Sequence, residues 1–271
     1  MNRLALHAST GTGLSLAELI EVASDAEFDS IGLRVAGALE ASDTAPNGIG
    51  NAELIEGIDK LLTTRVSALD VGRADLGDGR DPRQAQVAQD RVLDFAVRLG
   101  ARWATAGCAS IDARLDQVQR EFSEFARRCA ALNIVPLLVP SPGTAISDLR
   151  VSMDVAAMSA GGVVLNVHTD VDPDELDLLI IEKSNSIGYV RLQGQELDAF
   201  AGDPDRAPAI LATLPVHIPV AVGDDSAPHR LDQAALTSRA RSWRLVVDRM
   251  LEHPRAREAR LVRTRVDHPG D

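Results

Sequence analysis

Short apolar segments rich in β-branched residues alternate along this chain with amphipathic stretches of about 12 to 20 residues. This alternation is typical of βα units, in which a parallel strand is followed by a helix. Eight segments have the composition of a strand, and they cover residues 3–7, 30–35, 65–71, 101–106, 133–139, 162–168, 187–193 and 217–222. Because eight such units in about 250 residues is the size of a closed (β/α)8 barrel, the pattern predicts an α/β protein with a single TIM barrel.

Helix start signals follow several of the predicted strands. Ser15 stands three residues before Glu18, which is the spacing of a capping box, in which the two residues bond each other's backbone. In Asp81–Pro82 and again in Asp172–Pro173, a capping carboxylate precedes a proline in the first helical position. These signals predict the starts of the first, third and sixth helices.

The barrel is predicted to occupy residues 1–252, with a last helix over about 230–252. Residues 253–271 are rich in arginine and have no clear apolar face, so they are predicted to form a C-terminal tail outside the barrel. The arginines of this tail are expected to be solvated or to contact a second subunit, which leaves a homo-oligomer as an open alternative.

Composition excludes several classes of protein. The net charge of −12 argues against a nucleic-acid partner, because such binding depends on clustered Lys and Arg that neutralise phosphates. No apolar run is long enough to cross a membrane and the N-terminus lacks the order of a signal peptide, so we expect a cytoplasmic protein with no membrane partner. Cys108 and Cys129 lie outside any C-x-x-C pattern, so neither a disulfide framework nor a thiolate zinc site is predicted.

Candidate chemistry is expected at the C-terminal ends of the strands, where TIM barrels carry their active sites. The segment VVLNVHTD, residues 163–170, ends an apolar strand with Asn166 and His168, which are two residues apart and are both expected to face the barrel axis. The same alternation applied to every strand predicts a mouth lined by His7, Arg34, Asp70, Asn166, His168, Arg191 and Gln193.

The order and spacing of five stretches resemble the sugar phosphate isomerase/epimerase group of the xylose isomerase-like TIM barrels. The stretches are LSLAELIEVASDAEFDSIGLRV, VSALDVGRADL, RVLDFAVRLGARWATAG, FARRCAALNIVPLLV and SAPHRLDQAAL, and the resemblance covers residues 3–252. It implies carbohydrate metabolism and a divalent metal that is held by Glu on strand 5, Asp on strand 6, His or another polar residue on strand 7 and Glu on strand 8. It also implies proton transfer next to a carbonyl group.

The sequence departs from that pattern at the metal positions. These positions carry Val139 on strand 5, Asn166 on strand 6, Arg191 on strand 7, and Gly223, followed by Asp224, on strand 8. The acid expected near the end of strand 3 falls on Gly72. Valine and glycine offer no side-chain ligand, and an arginine repels a cation at 4 Å by roughly 4 kcal/mol per unit-charge pair. We therefore expect no metal cofactor, with Arg191 supplying the positive charge instead.

Several residues keep a structural interpretation beside the functional one. His168 is a general acid or base, a rim histidine bonded to the backbone, or a metal ligand. Asp70 and Arg34 form a structural ion pair or contact the substrate, and His7 is part of the floor of the mouth or a substrate contact. Arg191 is expected to meet an acid or an anionic ligand, because an uncompensated buried guanidinium is costly.

Two short motifs and two loops each have an ordinary structural interpretation beside a functional one. GTGLS, residues 11–15, resembles a phosphate-cradling turn but fits an ordinary glycine turn better, and HTDVDPDE, residues 168–175, fits a helix cap better than a calcium loop. The segments 36–51 and 194–205 follow strands 2 and 7 on the catalytic side, and they are either lids or ordinary connections.

The functional hypothesis is an isomerase or epimerase that works without metal on a small anionic carbonyl or sugar-type substrate. In it, Arg34 and Arg191 hold a carboxylate or phosphate, and His168 or Asp70 transfers the proton. The further substrate-binding candidates are Asn166, Gln193 and His7. One alternative is a barrel that has lost catalysis and binds a ligand or a partner subunit. A second is a metal-dependent isomerase with a relocated site made of His7, Asp70, His168 and Asp224.

Overall fold

The protein is known from a computed structural model that describes residues 2–7, 14–34, 51–79, 81–169, 172–207, 210–223 and 232–252. The strands are β1 (Leu4–His7), β2 (Ser30–Arg34), β3 (Ser67–Leu76), β4 (Trp103–Cys108), β5 (Val135–Val139), β6 (Gly162–Val167), β7 (Ile187–Gln193) and β8 (Val220–Gly223). The helices are α1 (Leu16–Asp25), α2 (Asn51–Thr63), α3 (Pro82–Leu99), α4 (Leu115–Ala131), α5 (Leu149–Ala157), α6 (Pro173–Lys183), α7 (Gly194–Leu197) and α8 (Gln233–Glu252).

The eight strands are parallel and follow one another around a closed barrel in chain order, with β1 paired to β8. This arrangement confirms the predicted single (β/α)8 TIM barrel. The seventh strand has the predicted bounds, and each of the others overlaps its predicted segment. The third strand runs past its predicted end because Leu76 still pairs with Cys108, the last residue of β4.

The predicted helix starts are confirmed. At α1, the Ser15 hydroxyl accepts a hydrogen bond from the Glu18 backbone at 3.2 Å, and the Glu18 carboxylate accepts one from the Ser15 backbone at 2.7 Å. Asp81 caps α3 and Asp172 caps α6, each one residue before a proline. The predicted last helix corresponds to α8, whereas the predicted tail 253–271, the loop 36–50 and most of the GTGLS motif lie outside the described residues.

The apolar core has two parts. The larger part lies between the barrel and its helices, and it includes the outward strand residues and the buried face of α8. The smaller part fills the barrel interior, where a layer is made by Ala5, Leu69, Trp103, Leu137, Val164, Tyr189 and Ala221. None of the described helices is long and apolar enough to cross a membrane.

The segment after β7 is packed against the last helix. A side chain at Gly194 would collide with the ring of Trp243, and the Trp243 Nε1 donates a hydrogen bond of 2.7 Å to the Asp198 carboxylate. Arg239 also pairs with Asp198. For the segment 194–205, this packing favours the interpretation of an ordinary connection over that of a lid.

Candidate functional site

The site begins with a β-bulge that turns Asp70 into the barrel. The pairing of β2 with β3 shifts after Ile31, which lies opposite Ala68, so that the next residue, Gly32, lies opposite Asp70. The extra residue, Leu69, belongs to the interior apolar layer. Bulges of this kind redirect the side chains that follow them. Asp70 therefore reaches the interior as the sequence predicted, although simple alternation does not explain how.

Asp70 is fully buried, and its surroundings favour the protonated acid. Its Oδ2 accepts a hydrogen bond of 3.0 Å from the hydroxyl group of Tyr189, and no other described residue donates a hydrogen bond to its Oδ1. Burial raises the pKa of the Asp70 carboxyl to about 7, although the Tyr189 hydrogen bond and the positive charge of Arg191 both act to lower it. A carboxyl group with this pKa can take up or release a proton near neutral pH.

Gly32 brings His7 and Asp70 together. A Cβ atom on Gly32 would lie 2.5 Å from the Asp70 Oδ1 and 2.7 Å from the His7 Cδ2, so only a glycine leaves room for both side chains. His7 is itself buried at the end of β1. The structure thus places these two predicted site residues side by side.

Three polar residues follow one another at alternate positions on β7. Tyr189 lies in the interior layer, Arg191 is 8% exposed one step nearer the mouth, and Gln193 ends the strand opposite Gly223. Arg191 lies in register with Asn166 of β6. The structure therefore brings Arg191 and Asn166 together near the ends of β7 and β6, whereas Asp70 pairs with Trp103 of the interior layer and bonds Tyr189. Arg34 ends β2, but its side chain lies outside the described residues, so its role remains a prediction.

Gly72 has a packing reason for lacking a side chain. A Cβ atom there would lie 1.8 Å from the Oγ1 of Thr105, which is buried on β4. The position at which the resemblance predicts an acid is therefore filled by the neighbouring threonine.

Asn166 lies at the edge of a cleft of about 200 Å³ that opens between β6 and the segment before α5. Pro140, Pro142 and Leu149 form apolar walls, and His168 lies on its rim. The Oδ1 of Asn166 is buried and has no hydrogen-bond donor among the described residues. The wall of this partly apolar cleft therefore contains a buried acceptor without a described donor.

His168 lies one residue beyond the end of β6, and its side chain is 60% exposed. Its Nδ1 lies 2.6 Å from the Oε1 of Glu196 on α7, and the Glu196 Oε2 accepts a hydrogen bond of 2.8 Å from the backbone of Thr169. Partial burial acts to raise the pKa of Glu196, but the hydrogen bonds from His168 and Thr169 outweigh it and the pKa lies below its usual value. Because the chain has left the sheet, strand alternation no longer determines the direction of His168.

The described residues at the metal positions of the resemblance do not fit a divalent cation. Val139 packs against the apolar interior layer, Gly223 has no side chain and Arg191 is a buried cation. Within the described ranges, no group of three or more His, Cys, Asp or Glu side chains could hold a metal ion. Asp224, which the relocated-site alternative needs, lies outside those ranges.

Sequence reasoning missed Tyr189, Thr105 and Glu196. Tyr189 had a signal, because it is the only tyrosine and it shares the inward parity of Arg191. Thr105 had the same kind of signal, since it lies two residues after the interior Trp103. Glu196 had no such signal. It lies after the end of β7, where strand alternation does not apply, and its partner His168 is 28 residues away in the sequence.

Comparison with known proteins identifies the fold. No protein-family model matches the chain, and no curated protein matches it in sequence. Solved structures match over almost the whole barrel. The IOLI protein with a bound zinc atom has a TM-score of 0.67 at 11% identity, over 92% of this chain and 98% of that one. The chain has the fold of the xylose isomerase-like TIM barrels.

Two further neighbours have the same fold. A xylose isomerase domain protein from Alicyclobacillus acidocaldarius has a TM-score of 0.64 at 17% identity, over 95% of this chain and 100% of that one. D-allulose 3-epimerase from Methylomonas sp. has a TM-score of 0.62 at 13% identity, over 92% and 98%. The fold is thus one that enzymes of the isomerase and epimerase class use.

Proposed function

We propose that the protein is an isomerase or epimerase-like enzyme that transfers a proton next to the carbonyl group of a small anionic substrate without a metal ion. The observation that carries the proposal is the buried Asp70, whose pKa is about 7 and whose neighbours are Tyr189 and Arg191. A general base is most effective when its pKa lies near the working pH.

In the proposed reaction, Asp70 takes a proton from the carbon next to the carbonyl group. The electron pair of the broken C–H bond moves onto the carbonyl oxygen and forms an enediolate. The positive charge of Arg191 stabilises that oxygen in a site with little water, where such an interaction is strong. In an isomerisation, Asp70 then gives the proton to the former carbonyl carbon, while the hydroxyl proton of the adjacent carbon passes to the enediolate oxygen, so that the carbonyl and hydroxyl groups exchange places. The hydrogen bond from Tyr189 holds the Asp70 carboxyl in place.

The other predicted site residues keep their proposed roles. Arg34, Asn166, Gln193 and His7 are proposed to bind the substrate, and His168 is the alternative proton-transfer group. The absence of fitting ligands at Val139 and Gly223 supports proton transfer that depends on side chains alone.

The test is deuterium exchange at carbon. Sugar phosphates and small keto acids are incubated with the protein in D2O, and loss of the proton next to the carbonyl group is followed by NMR. We expect exchange that survives EDTA and falls by about 10²- to 10⁴-fold in Asp70→Asn. Asp154→Asn removes a carboxylate from an exposed position on α5 and should leave the rate unchanged. Exchange that disappears with EDTA and returns with a metal ion would contradict the proposal.

A second candidate is a barrel that binds a ligand without turning it over. The full burial of Asp70 favours it, because a carboxyl group that hydrogen-bonds to Tyr189 in the interior also serves to hold β3 against β7. In that case no substrate exchanges, and Asp70→Asn changes stability alone.

A further inference from the structure

The His168–Glu196 pair is arranged so that only one tautomer of the imidazole fits. The pKa of Glu196 lies below its usual value, so the carboxylate is ionised and can only accept hydrogen bonds. At 2.6 Å from Oε1, the Nδ1 of a neutral His168 ring must therefore carry the proton. The other ring nitrogen, Nε2, is then an acceptor, and no described residue donates a hydrogen bond to it.

Glu196 is itself held in place. Its second oxygen accepts the backbone N–H of Thr169, the residue after His168, so that the carboxylate bridges the ring and the chain that carries it. The side chain of Glu196 is 24% exposed against 60% for His168. A partly buried carboxylate with two bonds is a better anchor than an exposed surface pair, which contributes little.

His168 and Asn166 line the same cleft, and the Nε2 of the exposed His168 ring is an acceptor on its rim. The Oδ1 of Asn166 is buried without a donor, and a hydroxyl group would satisfy this amide whichever way it is turned, since hydroxyls both donate and accept. Ser147 adds a hydroxyl to the lining. The Glu196 carboxylate lies against His168 on the rim, and Asp148 caps α5 next to Leu149 of the lining.

We propose that Glu196 is a positioning residue for His168, and that the cleft they form with Asn166 binds an uncharged group that carries hydroxyls. The apolar walls of Pro140 and Pro142 suit a neutral group, since they offer nothing to compensate a full charge. That this group is part of the substrate rests on the proposed function, whereas the orientation of His168 by Glu196 does not.

The first measurement is the tautomer of His168, read from long-range ¹H–¹⁵N spectra of the full-length protein with labelled histidine. We expect the Nδ1–H form at His168, and the exposed His217 serves as the reference ring. In Glu196→Ala, His168 should come to match His217, and Glu196→Asp should restore part of the difference. Glu124→Ala, which breaks an exposed pair with Arg127, should change nothing at His168. A wild-type His168 that already matches His217 overturns the positioning role.

The second measurement is a titration with erythritol and, at matched ionic strength, with inorganic phosphate. Erythritol should shift the His168 Nε2 signal, and its affinity should fall by about threefold to tenfold in Asn166→Ala and in Glu196→Ala. A shift with phosphate alone, no shift with erythritol, or an erythritol shift that survives Asn166→Ala overturns the binding site. Neither measurement depends on turnover, so a failure of the Asp70 reaction leaves both results interpretable.

Discussion

Asp70 is buried where a carboxylate would be costly. Its one hydrogen bond from another described residue comes from Tyr189, and the charge of Arg191 compensates its ionised form only in part. The protonated acid is therefore the favoured form until the pH approaches 7.

Because the pKa of Asp70 is raised in the folded chain, its stabilising contribution is complete below the unfolded value of 3.8 and is lost as the pH rises through about 7. The shift corresponds to a loss of about 4 kcal/mol at most. Asp70→Asn imitates the protonated form at every pH, so we expect it to equal the wild type near pH 4 and to exceed its free energy of unfolding above pH 7. Urea unfolding across this range measures the difference. Asp154→Asn is the control. If the free energy of unfolding changes with pH equally in the wild type and in Asp70→Asn, the raised pKa of Asp70 is refuted.

The connection between β7 and α8 determines where Glu196 lies. The helix α7 has only four residues, too few to be stable alone, so its position depends on tertiary contacts. Leu197 is fully buried, Gly194 lies against the Trp243 ring, and Asp198 bonds both Trp243 and Arg239 of α8. The last helix of the barrel therefore supports the residue that is proposed to orient His168.

Removing Asp198 should loosen this connection. We expect Asp198→Ala to lower the free energy of unfolding by about 1–3 kcal/mol, because the Nε1 of the buried Trp243 loses its acceptor. Amide exchange in residues 194–200 should become faster. Asp205→Ala is the matched control, since it breaks only an exposed pair with Arg249 and should cost less than about 1 kcal/mol. If both variants behave alike, α7 is not held by Asp198.

Pairing of β1 with β8 closes the barrel. The helices that follow these two strands in the chain, α1 and α8, pack against each other. The last turn of α8 contributes Met250 and Leu251, which are both buried in the core between the barrel and its helices. The boundary predicted at residue 252 therefore falls after the last apolar side chains that the described core uses.

Two truncations test this boundary. A chain that ends at Glu252 should melt within a few degrees of the full-length protein, because it keeps the described core intact. A chain that ends at Asp248 loses Met250 and Leu251, and we expect it to be less stable by about 2–5 kcal/mol or more. Thermal unfolding followed by circular dichroism compares them. A large loss of stability in the chain that ends at Glu252 would show that residues 253–271 contribute to the fold.

The fold could be predicted because its signals are local. The number and approximate positions of the strands followed from apolar runs, and the starts of α1, α3 and α6 followed from Ser15, Asp81 and Asp172, whose side chains bond backbone groups two or three residues away. The extension of β3 to Leu76 could not be predicted, because its pairing with Cys108 depends on where β4 lies.

The candidate site, like the fold, has some features that local sequence signals predict and others that they do not. The sequence by itself determined that Asn166 and Arg191 would face inward near the ends of their strands, since alternation along a strand is a local rule, whereas Asp70 reaches the interior through the bulge at Leu69. Only the tertiary structure decided that the Tyr189 hydroxyl meets Asp70, that Thr105 fills the space at Gly72, and that Glu196 holds His168. These contacts join residues on different strands and connections, and the physical reason is that burial and charge, which set the chemistry of a carboxyl or imidazole group, are properties of the neighbours that folding brings together.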